Sequence, residues 1–306
     1  MATTKNVSVT AAVLLTILGA VAGCSGPDEQ RTHDGSSVEA PAVTASPTVS
    51  NLNQASLPLD HDMLTANQYS DLDYAAKLLA SDCMKRYGIT WDPGKRVRPR
   101  VLVDRTNRLG LVDEAKAARA GYHVDPDKAE SYENKDATRS GRLTEDQARF
   151  LDGGNPGQSA TGDIPQGGCY GEARRKIGWD LNSFIWLQGI SNEATRRALA
   201  DKRTAAVEAR WSDCMAESGY RYHRPKDAEA DKRWWKDDDA PASRAEINTA
   251  VADVRCKKKV NYVGEVTAVL TAYQQQTVEK NAERLETTRH ATEEALKKAA
   301  AVLGGR

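Results

Sequence analysis

The chain has 306 residues and sets 43 basic against 43 acidic side chains. A formal net charge of zero excludes a generally basic nucleic-acid binder and a polyanionic tail protein. With 40% hydrophobic and 28% charged residues, the chain is polar for a globular protein but richer in apolar residues than full disorder.

The first 24 residues read as an address. Lys5 is the one charged side chain before Asp28, and a mostly apolar run of about sixteen residues, Val7 to Ala22, follows it. Spanning a bilayer takes roughly 20 such residues, so the run fits a signal-peptide core instead. It ends in Val21-Ala22-Gly23-Cys24, which resembles a bacterial lipobox. The expectation is a signal peptide over 1–23, a lipid on Cys24 and a protein held by that lipid on the outer face of the cell membrane. No later apolar run is long enough to span. Residues 24–58 are rich in Ser, Thr, Pro, Asp and Ala and lack apolar periodicity. They read as a flexible leash, because such a segment cannot bury enough surface to offset its ordering entropy.

The body, 59–306, reads as mainly α. Leu72, Ala75, Ala76, Leu79 and Cys83 recur at helical spacing over 67–87, and Gly88 supplies a stop. Val97, Val101 and Val103 alternate with polar residues, as in a short strand or extended arm. Asp113 to Arg119 is a short helix ending at Gly121, and 125–142 is an exposed loop. Thr144 and Gln147 make a capping box for a helix closing at Gly153. A Gly-rich loop precedes a helix from Cys169, interrupted at Gly189. Ser191 or Asn192 caps the next helix, to Glu217, and Gly219 stops it. From Ser243 to Leu303 the pattern is helical again, with Gly264 as the marked break and a solvated, projecting final third.

Cys24 aside, four cysteines remain: Cys83, Cys169, Cys214 and Cys256. In an extracellular protein an even number implies disulfides, and four allow three pairings. Ser81-Asp82-Cys83-Met84 recurs as Ser212-Asp213-Cys214-Met215, each with Gly five residues after Cys. Each motif precedes an irregular stretch and then a second Cys opening into a basic helix. The expected fold is a disulfide-stapled helical bundle of two duplicated units, about 67–188 and about 192–303, with long irregular connections and a long C-terminal helix. The staples are Cys83–Cys169 and Cys214–Cys256. Zinc is disfavoured, since no C-x-x-C spacing occurs and the five His are scattered.

Cys214-Met215 followed by Gly219-Tyr220, the segment Leu109 to His123 and the run from Cys256 to Leu285 are similar to a group of secreted lipoproteins of actinobacteria. The resemblance covers roughly 70–306. It implies an extracytoplasmic location, and it carries over no activity and no catalytic residue.

The sequence holds no G-x-S-x-G, no H-E-x-x-H and no S-x-x-K with K-T-G. No cofactor or metal is expected. Two clusters suit binding. Tyr122-His123 and Tyr222-His223 each follow a Gly closely and set an aromatic face beside a titratable ring. Trp234-Trp235 sits between Lys232-Arg233 and Lys236, where a paired aromatic would anchor a partner or touch lipid headgroups. The leading expectation is a lipid-anchored binding or scaffold protein of the envelope, with an envelope protein or cell-wall polymer as partner and no nucleic acid. The alternative is an envelope carbohydrate hydrolase using loop carboxylates.

Overall fold

The computed structural model describes residues 40–43, 45–49, 55–96, 109–123, 143–153, 164–236 and 240–305. The strand or extended arm expected at 97–103, the loop expected at 125–142 and the signal peptide expected before Cys24 all lie outside the described residues, as does Cys24 itself. Ala40 to the C-terminus forms a single unit. Among the described residues it is helical and contains no strand: a 3-10 turn, Pro58–His61, and ten α-helices.

Local chemistry sets the helix ends. Helix α1, Ala66–Arg86, starts in a capping box in which Thr65 and Gln68 satisfy each other's backbone donors. Helix α2, Glu114–Ala120, is capped by Asp113, and α3, Glu145–Asp152, by the Thr144/Gln147 box that the sequence marks. Helix α4 is Gly168–Ile177, and α5 is Leu181–Leu199, capped by Asp180. Asp201 caps α6, Lys202–Glu217. A short α7, Pro225–Glu229, precedes α8, Arg244–Lys259, capped by Ser243. Two helices complete the chain: α9, Tyr262–Lys280, and α10, Ala282–Gly304.

The repeat is visible in the backbone. Helices α1 and α6 both end in a Schellman motif. Ile89 N donates to Met84 O at 3.1 Å, and Tyr220 N donates to Met215 O at 2.9 Å. Gly88 and Gly219 take the left-handed position, φ 73° and 88°. Both expected disulfides are present, Cys83–Cys169 and Cys214–Cys256. They close loops with sequence separations of 86 and 42, so each restricts the unfolded chain by roughly 4–5 kcal/mol on loop entropy.

Beyond its first arm the repeat diverges. Cys169 stands in the first turn of α4, but Cys256 stands in the last turn of α8 and does not open a helix. The halves also interleave, and this departs from the expected unit boundaries. Ala295 and Ala299 of α10 pack in one apolar cluster with Leu72, Ala76, Cys83, Cys169 and Ile177. Helix α10 therefore lies on the first staple through a stripe of small residues and does not project.

Other expectations are corrected by packing. Helix α5 passes through Gly189, because that exposed glycine costs only about 1 kcal/mol while Leu187, Ala194 and Ala198 bury their side chains. The stop is at Ala200–Asp201, where the Asp201 carboxylate accepts from Arg203 N. The 243–303 run breaks at Asn261, φ 51°, and at Asn281, not at Gly264. Gly264 lies inside α9, where an added Cβ would sit 1.8 Å from Pro47 O. The glycine is there because the chain near Pro47 runs against the helix. Residues 40–58 are thus not all leash. Val43, Val49, Ala55 and Leu57 pack on α5, α6 and α9, and Arg203 Nη1 donates to Pro41 O at 2.7 Å.

Candidate functional site: a buried charge network beneath an exposed tryptophan

Helix α8 turns Glu246, Ala250, Asp253 and Lys257 to one side, as spacings of four and seven require. That side is covered by residues 109–123 and by α7 with the loop after it. Three of the four are charged, and all are buried. A buried charge is tolerated only when it is paired and hydrogen-bonded, and these are.

Lys257 Nζ spends its donors on Leu111 O at 2.9 Å and Asp253 Oδ2 at 3.0 Å, with Glu229 Oε1 at 3.4 Å. Asp253 Oδ1 accepts from Trp211 Nε1 at 2.9 Å, and the Tyr122 hydroxyl donates to Oδ2 at 3.4 Å. Glu229 Oε1 also accepts from Leu111 N at 2.8 Å. Burial pushes the Asp253 carboxyl up to about 6, against the opposing pull of Lys257. The same burial raises the Tyr122 phenol, with Asp253 and Glu229 adding to it.

Glu246 forms the second half of the network. Its Oε1 accepts from Tyr122 N at 2.8 Å and lies 2.7 Å from His123 Nδ1. Ser243 caps Glu246 N, but the carboxylate turns inward to these partners and does not close the capping box. Glycine is required opposite both carboxylates. A Cβ on Gly110 would fall 1.9 Å from Glu229 Oε1, and one on Gly121 would fall 2.5 Å from Glu246 Oε1. His123 Nε2 is buried and has no hydrogen-bond partner.

Above this lies Trp235. Its ring stacks on His123 at 4.6 Å between centroids and 28° between planes. Its Nε1 donates to Glu229 O at 2.8 Å, yet 42% of the residue remains exposed. Trp234 does the opposite. It is buried, donates from Nε1 to Ala228 O at 2.8 Å, and carries the Arg233 guanidinium over its ring. Trp234 is therefore not part of any exposed anchor, and the pair divides into one core residue and one surface residue.

The remaining sequence candidates separate likewise. Tyr122 and Tyr222 both pack against the cluster around Cys214 and Cys256. Tyr222 OH donates to Asp231 Oδ2 at 2.8 Å and accepts from Arg233 Nη2 at 2.7 Å. Arg233 in turn holds Asp231 well down, at about 2. Tyr222 is thus committed to the loop's own fixation. His223 is exposed and is not brought to His123 or Trp235 by any contact among the described residues. Glu229, Glu246, Asp253 and Lys257 escape a sequence reading. Asp253 and Lys257 are four apart on a helix, the pattern of an ordinary solvated pair.

A cleft between α5 and α10 is lined by Trp179, Phe184, Leu187, Thr292 and Ala295, and the buried Trp179 Nε1 has no hydrogen-bond partner. Among the described residues no group of three or more His, Cys, Asp or Glu is placed to hold a metal ion. Among those residues, too, no helix is long and apolar enough to cross a membrane.

The chain matches no protein-family model, no curated protein and no solved structure.

Proposed function

We propose that this is a lipid-anchored binding or scaffold protein on the extracytoplasmic face of a bacterial cell membrane, of the kind that the lipobox at Cys24 and the resemblance to actinobacterial lipoproteins suggest. The observation that carries the binding role is Trp235, a large aromatic kept in solvent and locked from beneath. Interface energy concentrates in such aromatic anchors, and fixing them beforehand removes an ordering cost. The two disulfides support an oxidising compartment. Glu229, Glu246 and Asp253 are spent on internal donors, which favours binding over hydrolysis by this cluster.

The test is made in intact cells. A photo-crosslinking residue at position 235 should capture an envelope component, and the same residue at His223 should not. Cys24→Ala should release the protein from the membrane fraction. A protein that stays membrane-bound without Cys24, or that captures nothing at 235, removes the respective half of the reading.

A further inference from the structure

Trp235 is fixed by three successive contacts. Glu246, 1% exposed, holds His123; His123 stacks on one face of the indole; and the indole N–H is committed to Glu229 O. The donor that an indole usually offers a partner is therefore already used. What remains available is the second π face, a flat apolar surface of negative potential.

The charge around it is mixed. Arg233 is engaged by Asp231 and Tyr222, whereas Lys232 and Lys236 are exposed with no ion pair among the described residues. Over residues 231–239 the sequence sets Lys232, Arg233 and Lys236 against Asp231, Asp237, Asp238 and Asp239. With no excess of positive charge, the loop is unsuited to hold a polyanion by long-range attraction.

We propose that the exposed face of Trp235 is a stacking platform for a neutral pyranose ring of a polysaccharide. This deepens the binding reading and rests on it. A sugar ring presents polarised C–H groups on one face, which meet the indole's negative π surface. Its hydroxyls keep their hydrogen bonds to solvent, and Lys232 and Lys236, exposed in the same loop, add donors for a neutral sugar without a net positive field. Single sugar contacts are weak, so a platform that needs no ordering on binding suits them better than a mobile side chain.

The experiment uses the full chain in micelles of a detergent without sugar headgroups. The probes are soluble oligosaccharides of glucose, galactose and N-acetylglucosamine, with a ribitol-phosphate polymer as the anionic comparison. At least one neutral oligosaccharide should bind with little dependence on salt and protect Trp235 from N-bromosuccinimide. Trp235→Ala should weaken binding roughly tenfold or more, as loss of an aromatic anchor does. Trp235→Tyr keeps a ring and should retain part of the affinity, which guards against an unfolded Ala variant. Three results would overturn the proposal: no oligosaccharide binds, Trp235→Ala binds like the wild type, or only the phosphate polymer binds and salt abolishes it. Failure of lipidation at Cys24 would leave this assay unchanged, so the two readings fail separately.

Discussion

Ser212 donates its hydroxyl to the carbonyl of Tyr222, ten residues further on, at 2.6 Å. Ser81 does the same to Trp91, also ten residues on, at 2.7 Å. The shared Ser-Asp-Cys-Met motif therefore encodes a latch as well as a half-cystine. The hydroxyl fastens the chain leaving each Schellman turn back onto the helix that it has just left.

Each latch should be measurable. Ser81→Ala and Ser212→Ala each leave a carbonyl in a part-buried site without its donor, so each should cost about 1–2 kcal/mol in urea unfolding. The costs should add in the double variant, because the two sites lie in different apolar clusters. A neutral Ser81→Ala would show that solvent replaces that latch.

Asp253 gives a pH dependence of unusual sign. Its folded carboxyl titrates near 6, above the roughly 3.9 of an unfolded Asp, so between those values the native state holds the extra proton. The contribution of this group is full below about pH 4 and is lost as pH rises through 6. Asp253→Asn deletes that term and keeps an acceptor for Trp211 Nε1. Its stability should consequently rise more steeply with pH over 4–6 than that of the wild type, as followed by urea midpoints. Parallel curves would mean that Asp253 stays ionised throughout.

Gly264→Ala discriminates packing from propensity. In an ordinary helix interior this change stabilises by up to about 1 kcal/mol. Here the new methyl meets Pro47 O and the Asn261 side chain, so the sign should reverse, with a loss of about 1–3 kcal/mol. Amide hydrogen exchange should locate the loss at residues 40–49 and along α9. A stabilised variant would show that this segment separates from α9 without cost.

Glu246→Gln tests the support beneath Trp235. Glutamine still accepts from Tyr122 N, but it no longer offers His123 a charged partner. The indole N–H of Trp235, identified in NMR spectra by its absence in Trp235→Phe, should exchange faster with solvent in this variant. Unchanged exchange would assign the fixing of Trp235 to Glu229 O alone.

Where the sequence was legible, the signal was local. Thr144 with Gln147, Asp113, Gly88 and Gly219 mark helix ends through bonds made within a few residues, and the structure uses each of them. The cystine pairing followed from a repeated tetrapeptide. The misread positions depend on what arrives from elsewhere in the chain. Gly189 and Gly264 both resemble breaks, yet one is a tolerated surface glycine and the other makes room for Pro47. Lys257 reads as one of three basic residues that follow Cys256 into a basic helix, and only the approach of Leu111 and Glu229 makes it a core residue. Trp234 and Trp235 are adjacent and chemically identical, so no pattern could tell which would be buried.

The return of α10 to the first staple has a consequence for the order of assembly. The cluster around Cys83 and Cys169 is completed by Ala295 and Ala299, more than 120 residues beyond the second of those cysteines. A chain made from its N-terminus can close the Cys83–Cys169 ring long before the residues that cover it exist. Until α10 is synthesised, Leu72, Ala76 and Ile177 lack their final cover, so the first module to emerge is the last to be finished. The second staple faces no such delay, because Trp211, Met215 and Ala228 surround Cys214 and Cys256 from within residues 211–256. Loss of the last helix would accordingly expose the first staple while leaving the second one covered.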